Sequence, residues 1–267
     1  MRKVLGLCLS LILFSSLALA VTPPSVPSTC GSGSSPCLCD NNADGGVSTT
    51  ISCTITGVTG SVAIVVHTGW YVTALDGQTV TISDSSTGGG TADSFQVGAA
   101  CFQDSTPIYY VACSNYVCHS SLGAGNWTLT STASPTGGES YFIDAEIISG
   151  AASTGCHDQT GTWSGGSSPL YTYTGCVNGS SCPNGSAGQI SASNELAIGF
   201  IFNGFPITPV SPFIQLQSQS AYMQNPTQGS ALEVQWTGTT NNYAALIDTF
   251  VAPGTVSTKI RHSVKQQ

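Results

Sequence analysis

The sequence predicts an all-β fold, an antiparallel β-sandwich carrying a disulfide-pinned loop insertion, on three observations. Short runs rich in β-branched and aromatic residues alternate with turn clusters along most of the chain. Gly, Ser and Thr are abundant, and long stretches of Ala, Leu, Glu and Lys that would favour helices are missing. Within several runs apolar side chains recur at every second position, the period of a half-buried strand.

Taken in order, Arg2 and Lys3 precede an apolar run from Val4 to Leu17 that ends in Ala18-Leu19-Ala20. This is the pattern of a secretory signal over residues 1–20, cleaved before Val21. The run is shorter than the roughly 20 apolar residues of a spanning helix, so no membrane span is expected after cleavage. Residues 21–36 read as a Pro/Ser/Gly-rich linker, residues 37–252 as the sandwich domain, and residues 253–267 as a basic tail holding Lys259, Arg261 and Lys265.

Inside the domain the expected strands are Val47–Ile55, Ser61–Thr68, Thr79–Ser83, Pro107–Ala112, Asn126–Ser131 and Tyr141–Ser149, then Glu195–Phe202, Ala231–Trp236 and Tyr243–Val251. Leu232, Val234 and Trp236 share one face of their run, as do Trp127 and Leu129. Val62-Ala63-Ile64-Val65-Val66 is apolar on both faces, which marks a central strand covered by two layers. Residues 150–189 are dominated by Gly, Ser, Thr and Cys and are too long for an ordinary connection, so they read as the insertion.

The succession Gly60-Ser61-Val62-Ala63-Ile64-Val65-Val66, Ile108-Tyr109-Tyr110, Gly125-Asn126-Trp127-Thr128-Leu129-Thr130, Ala145-Glu146-Ile147-Ile148-Ser149-Gly150, Ala192-Ser193-Asn194-Glu195-Leu196-Ala197 and Tyr243–Phe250 resembles a group of secreted bacterial β-sandwich domains of unassigned function. The resemblance spans roughly residues 47–251. It implies a jelly-roll-like sandwich on an extracellular protein, and it supplies no catalytic residues. The cysteines and the long insertion depart from that group's pattern.

Charge excludes whole classes of partner. From Val21 to Thr258 there is no Lys or Arg, while the same stretch holds all 13 Asp and Glu residues. A phosphate backbone is held by clusters of cationic side chains, so nucleic acid is not an expected partner. Apart from Cys8 in the signal run, the cysteines are Cys30, Cys37, Cys39, Cys53, Cys101, Cys113, Cys118, Cys156, Cys176 and Cys182, an even set that argues for disulfides in an exported chain. Their connectivity is open, although Cys113 with Cys118 and Cys176 with Cys182 are near enough to close small loops.

Four constellations bear on chemistry. Asp40, Asn42 and Asp44, followed by Gly45, match the first half of a calcium loop, with Ile51 where the closing Glu would stand. No cofactor is expected, with calcium as the candidate at this half-motif. Cys113-x4-Cys118-His119 is a widened form of a haem attachment motif, for which a disulfide is the simpler account. Asp144 and Glu146, two apart in one strand, project from one face about 6–7 Å apart, and Glu195 is a third carboxylate. That spacing falls in the range of about 5–9.5 Å used by glycosidases. The fourth set is Trp163, Tyr171 and Tyr173 in the polar insertion, whose rings suit contact with the apolar faces of sugars. No nucleophile elbow surrounds any Ser, and His67, next to Gly69-Trp70-Tyr71, reads as a structural residue at a sheet end.

The expected function is thus a noncatalytic, secreted or cell-surface module that binds neutral polysaccharide or other surface components, with Trp163, Tyr171 and Tyr173 as its contacts. The rival readings are an acid-active hydrolase using Asp144, Glu146 or Glu195, and a passive coat or matrix protein.

Overall fold

The structure is a computed structural model that describes residues 22–27, 37–44, 49–56, 60–72, 77–86, 93–103, 109–122, 125–134, 140–165, 170–175, 188–203, 206–238 and 242–254. The signal segment, most of the linker, the basic tail, Cys30, Cys176 and Cys182 lie outside the described residues. The strands in chain order are β1 (Leu38–Asp44), β2 (Thr50–Thr56), β3 (Gly60–Val72), β4 (Thr79–Ser86), β5 (Gln96–Val97), β6 (Phe102–Gln103), β7 (Tyr109–Leu122), β8 (Asn126–Ser134) and β9 (Ser140–Ser149). They continue with β10 (His157–Gly165), β11 (Leu170–Tyr173), β12 (Glu195–Phe202), β13 (Ile207–Pro209), β14 (Ile214–Gln215), β15 (Ser220–Gln224), β16 (Glu233–Gly238) and β17 (Tyr243–Val251).

These strands form antiparallel sheets that stack face to face in four layers. An outer sheet β2-β8-β4 covers a central sheet β1-β9-β3-β7-β5, to which β6 is added on β7. A second central sheet β10-β17-β12-β15-β14 lies on the far side, covered in turn by the outer sheet β11-β16-β13. The sequence pattern dictates this order. β3, β9, β12 and β17 are buried on both faces and can only be interior, whereas β2, β8, β11 and β16 alternate between buried and more exposed positions and fit the outside.

On β3, Val62, Ile64, Val66 and Trp70 pack against Ile55, Trp127 and Leu129 of the outer sheet. Ala63 and Val65 on the other face meet Leu196, Ile198 and Phe250 of the second central sheet. A third apolar layer, built from Ala197, Ile201, Ala245, Ile247, Leu170, Val234 and Trp236, joins that sheet to its own cover. Each fully buried Leu, Ile, Val or Phe stabilises by about 1.5–3 kcal/mol. The solvent face of the first outer sheet is a ladder of hydroxyls instead, with Ser52–Thr130 at 2.8 Å, Thr54–Thr128 at 2.9 Å and Thr50–Thr132 at 3.4 Å.

Three disulfides are seen: Cys39–Cys53, Cys101–Cys113 and Cys118–Cys156; Cys37 is also disulfide-bonded. Such bonds suit an oxidising compartment. No helix among the described residues is long and apolar enough to cross a membrane. Cys113 does not close a small loop with Cys118. The two are five apart on β7, so strand alternation sends Cys113 into the layer under the first outer sheet and Cys118 toward the second central sheet.

The same geometry places two further features of the sequence. Asp40, Asn42 and Asp44 lie in β1, paired in register with Asp144, Phe142 and Ser140 of β9. No group of three or more metal-ligating residues occurs among the described residues, and the Asp44 side chain is outside them. Within residues 150–189, the described parts include β10, which pairs with β17, and β11, which pairs with β16.

Candidate functional site

The carboxylates singled out from sequence sit inside the molecule. Asp144 and Glu146 do project from one face of β9, and that face is turned to the second central sheet, with both residues fully buried. Between them and that sheet lies His67 of β3, itself fully buried and in register with Asp144. Its Nδ1 is 3.3 Å from Glu146 Oε2, and its Nε2 is 3.6 Å from Asp248 Oδ2 on β17. The opposite oxygen of Asp248 is 2.7 Å from His157 Nε2. A chain of alternating acids and imidazoles therefore crosses from one central sheet to the other.

The protonation states follow from burial and pairing. Burial alone pulls the His67 imidazole down, but Glu146 and Asp248 on either side overcome this and carry it from 6.5 up to about 10. Burial opposes ionisation of Asp248, yet the His157 hydrogen bond and the nearby imidazoles of His157 and His67 hold it well below the usual carboxylate range. Asp144 goes the other way: burial, then the charge of Glu146, keep it well above that range, with His67 compensating only in part. Gln217 Nε2 donates to Asp144 Oδ1. In a body without Lys or Arg, His67 is thus clamped as a cation between two acids.

Other groups pack closely on this arrangement. The Phe200 ring stacks on His67 with centroids 5.3 Å apart at 13°. Gly98 closes another side, because a Cβ there would lie 2.6 Å from Ser114 Oγ and 3.0 Å from Asp248 Oδ1. Glu195 does not join the cluster. Residues 196 and 198 of β12 face the first central sheet, so position 195 faces away from it. Its Oε1 instead accepts from Ala192 N at 2.7 Å and from Ser191 Oγ at 3.2 Å, tying down the turn that precedes its own strand.

Trp163, Tyr171 and Tyr173 do come together, and a glycine brings them. A Cβ on Gly161 would fall 1.7 Å from the Tyr173 carbonyl oxygen, so only glycine lets β10 cross β11 this closely. That crossing stacks Trp163 on Tyr171, with centroids 5.7 Å apart at 25°, and Tyr173 meets Tyr171 edge-on at 5.4 Å and 68°. All three rings are half-buried. Leu170 and Thr172 take the inward face of β11, which leaves Tyr171 and Tyr173 outward beside Gln235 and Glu233 of β16. Partial burial and the neighbouring Glu233 push the Tyr173 phenol up to about 12, so it remains an O–H donor at ordinary pH.

His119 is not a haem ligand in this arrangement: its Nε2 lies 2.5 Å from Asp93 Oδ2, and the flanking cysteines are spent in separate disulfides. What sequence reasoning missed is the role of His67, Asp248 and His157 as one network. The signal was present, since each of His67, Asp144, Glu146 and Asp248 is a charged interruption at a core-facing position of an otherwise apolar run. Also missed was a cavity of about 740 Å³ that opens beside Gln217. No family model matches the chain, and no curated protein or solved structure matches it.

Proposed function

We propose that the protein is a noncatalytic extracellular binding module for neutral polysaccharide, contacting its ligand through Trp163, Tyr171 and Tyr173. The observation that carries this reading is the convergence of those rings from two strands onto an outer layer. Flat, half-exposed aromatic surface with amide and phenol groups at its edge matches a sugar chain, which offers C–H faces and hydroxyls. A body free of Lys and Arg selects against anionic polymers.

The burial of Asp144 and Glu146 weighs against the hydrolase reading, because a glycosidic bond cannot reach them unless the two central sheets part. The test is a pull-down on insoluble neutral glycans such as cellulose, chitin and mannan. Retention that disappears in a Trp163→Ala, Tyr171→Ala double variant, with the melting temperature little changed, is the expected result. Retention that survives the double variant, or hydrolysis of the glycan abolished by Glu146→Gln, sinks the proposal.

A further inference from the structure

We infer that the cavity beside Gln217 is a second binding site, for one or two neutral sugar rings taken end-on. It lies where the two central sheets diverge, and its volume of about 740 Å³ is in the range of small-ligand sites, roughly 300–1,000 Å³. The aromatic rings of Tyr71, Phe142 and Phe202 and the amides of Gln215, Gln217 and Gln219 line it, and no charged side chain does.

The hydrogen-bonding capacity of these amides identifies the ligand class. Gln217 Nε2 is spent on Asp144 Oδ1, with Cys39 O a further acceptor at 3.5 Å. Gln215 Nε2 is spent on the carbonyl oxygens of Gln217 and Ser220. With both of these amide nitrogens tied inward, Gln215 and Gln217 are left with their carbonyl oxygens to offer. Gln219 Oε1 is buried and makes no hydrogen bond. A buried acceptor without a partner is costly, and a donor from a ligand removes that cost. The cavity therefore calls for a molecule with several donors, no net charge and an apolar face to set against the rings. Sugar hydroxyls and ring C–H groups meet all three demands. An ammonium would donate as well, but no lining carboxylate would neutralise it; an anion would find no cation.

The buried acid beneath the cavity acts here as a positioning group. Burial, then Glu146, hold the Asp144 carboxyl well above the usual carboxylate range, and its Oδ1 accepts from the Gln217 amide and so anchors it. This site is independent of the outer aromatic cluster, and the experiment separates the two. Saturation-transfer NMR on the full chain uses cellobiose, mannobiose and xylobiose as neutral probes, with glucosamine and glucuronate as charged controls. At least one neutral disaccharide is expected to bind, with affinity falling about tenfold in Gln219→Leu, the loss of one hydrogen bond. Both chains compared, with and without Gln219→Leu, carry the Trp163→Ala, Tyr171→Ala changes, so that transfer reports this cavity and not the outer cluster. Gln219 is partly exposed, so the leucine variant is expected to fold. No transfer to any of the three neutral probes, tighter binding of either charged control, or equal affinity in Gln219→Leu overturns the inference.

Discussion

His67 shows what one buried side chain does in a body without Lys or Arg. It is faced by Glu146 and Asp144 from β9, by Ser114 from β7, by Phe200 from β12 and by Asp248 from β17. Replacing it with Phe keeps an aromatic ring against Phe200 but leaves Glu146 and Asp248 without their shared cation. Removing one partner of a buried pair costs about 3–5 kcal/mol, so urea titration at pH 6 should find His67→Phe destabilised by that amount. The pH profile carries a further signature. A histidine whose folded value is raised from 6.5 to about 10 contributes fully below 6.5, and its contribution is lost as pH rises through 10. The wild type should therefore weaken between those limits, and the variant should lack that slope. Glu195 acts in the same direction at lower pH. Burial, then the neighbouring Asp158, raise it from 4.5 to about 7, so folding favours its neutral form and stability falls as pH climbs from 4.5 to 7. Glu195→Gln should flatten that fall and leave stability at pH 4 nearly unchanged; a variant that weakens the fold equally at both pH values would contradict this.

At the scale of elements, the layers are set by close contacts that admit no extra atom. A Cβ on Gly69 of β3 would lie 2.5 Å from the Phe202 ring across the central interface. Gly69→Ala should thus overpack that interface by about 1–3 kcal/mol, read as a lower urea midpoint with unchanged slope. The Cys118–Cys156 bond ties β7 to the start of β10 and so staples the two central sheets together. Closing a loop of 38 residues stabilises by about 4 kcal/mol in the chain-entropy model, and the Cys118→Ala, Cys156→Ala variant should lose about that much. Which elements were legible follows from how they are buried. Val62 to Val66 showed its interior position because both faces are apolar, and Glu195–Phe202 and Tyr243–Val251 are seen over the same residues as expected. β1, with its Asp and Asn residues, and β10, with Gly, Thr and Ser, carry no apolar period. Each is an edge strand held by hydrogen bonds to β9 or β17, and backbone pairing leaves no trace in side-chain pattern. The buried network escaped for a related reason. Period two says that Asp144 and Glu146 share a face, but only the stacking of layers says that the face is internal.

For the molecule as a whole, these titrations predict a fold that keeps its stability in acid. Burial, then like-charged neighbours, raise Asp144 and Glu195, so each is most at home neutral. His67 is fully effective throughout the acid range. Asp248 is the one carboxylate here that opposes the trend: depressed in the folded state, it contributes above its unfolded value and is lost only as pH falls through its folded one, in strong acid. Surface electrostatics agree, because a chain with 13 acidic and five basic residues loses most of its charge as the carboxylates protonate, leaving little self-repulsion. The melting temperature at pH 3.5 should therefore equal or exceed that at pH 7.5. A fall of more than about 10 °C, equivalent to several kcal/mol in a chain of this size, would show that some acid-labile pairing outweighs these groups. The same composition protects the unfolded chain, since trypsin has no Lys or Arg to cut between Val21 and Thr258. Urea-unfolded, reduced protein digested with trypsin should keep this stretch intact, whereas pepsin should cut the unfolded chain freely and spare the folded one at pH 3. Pepsin cleavage of the folded protein as fast as of the unfolded one would mean that the four layers open in acid, contrary to the direction in which Asp144 and Glu195 are held.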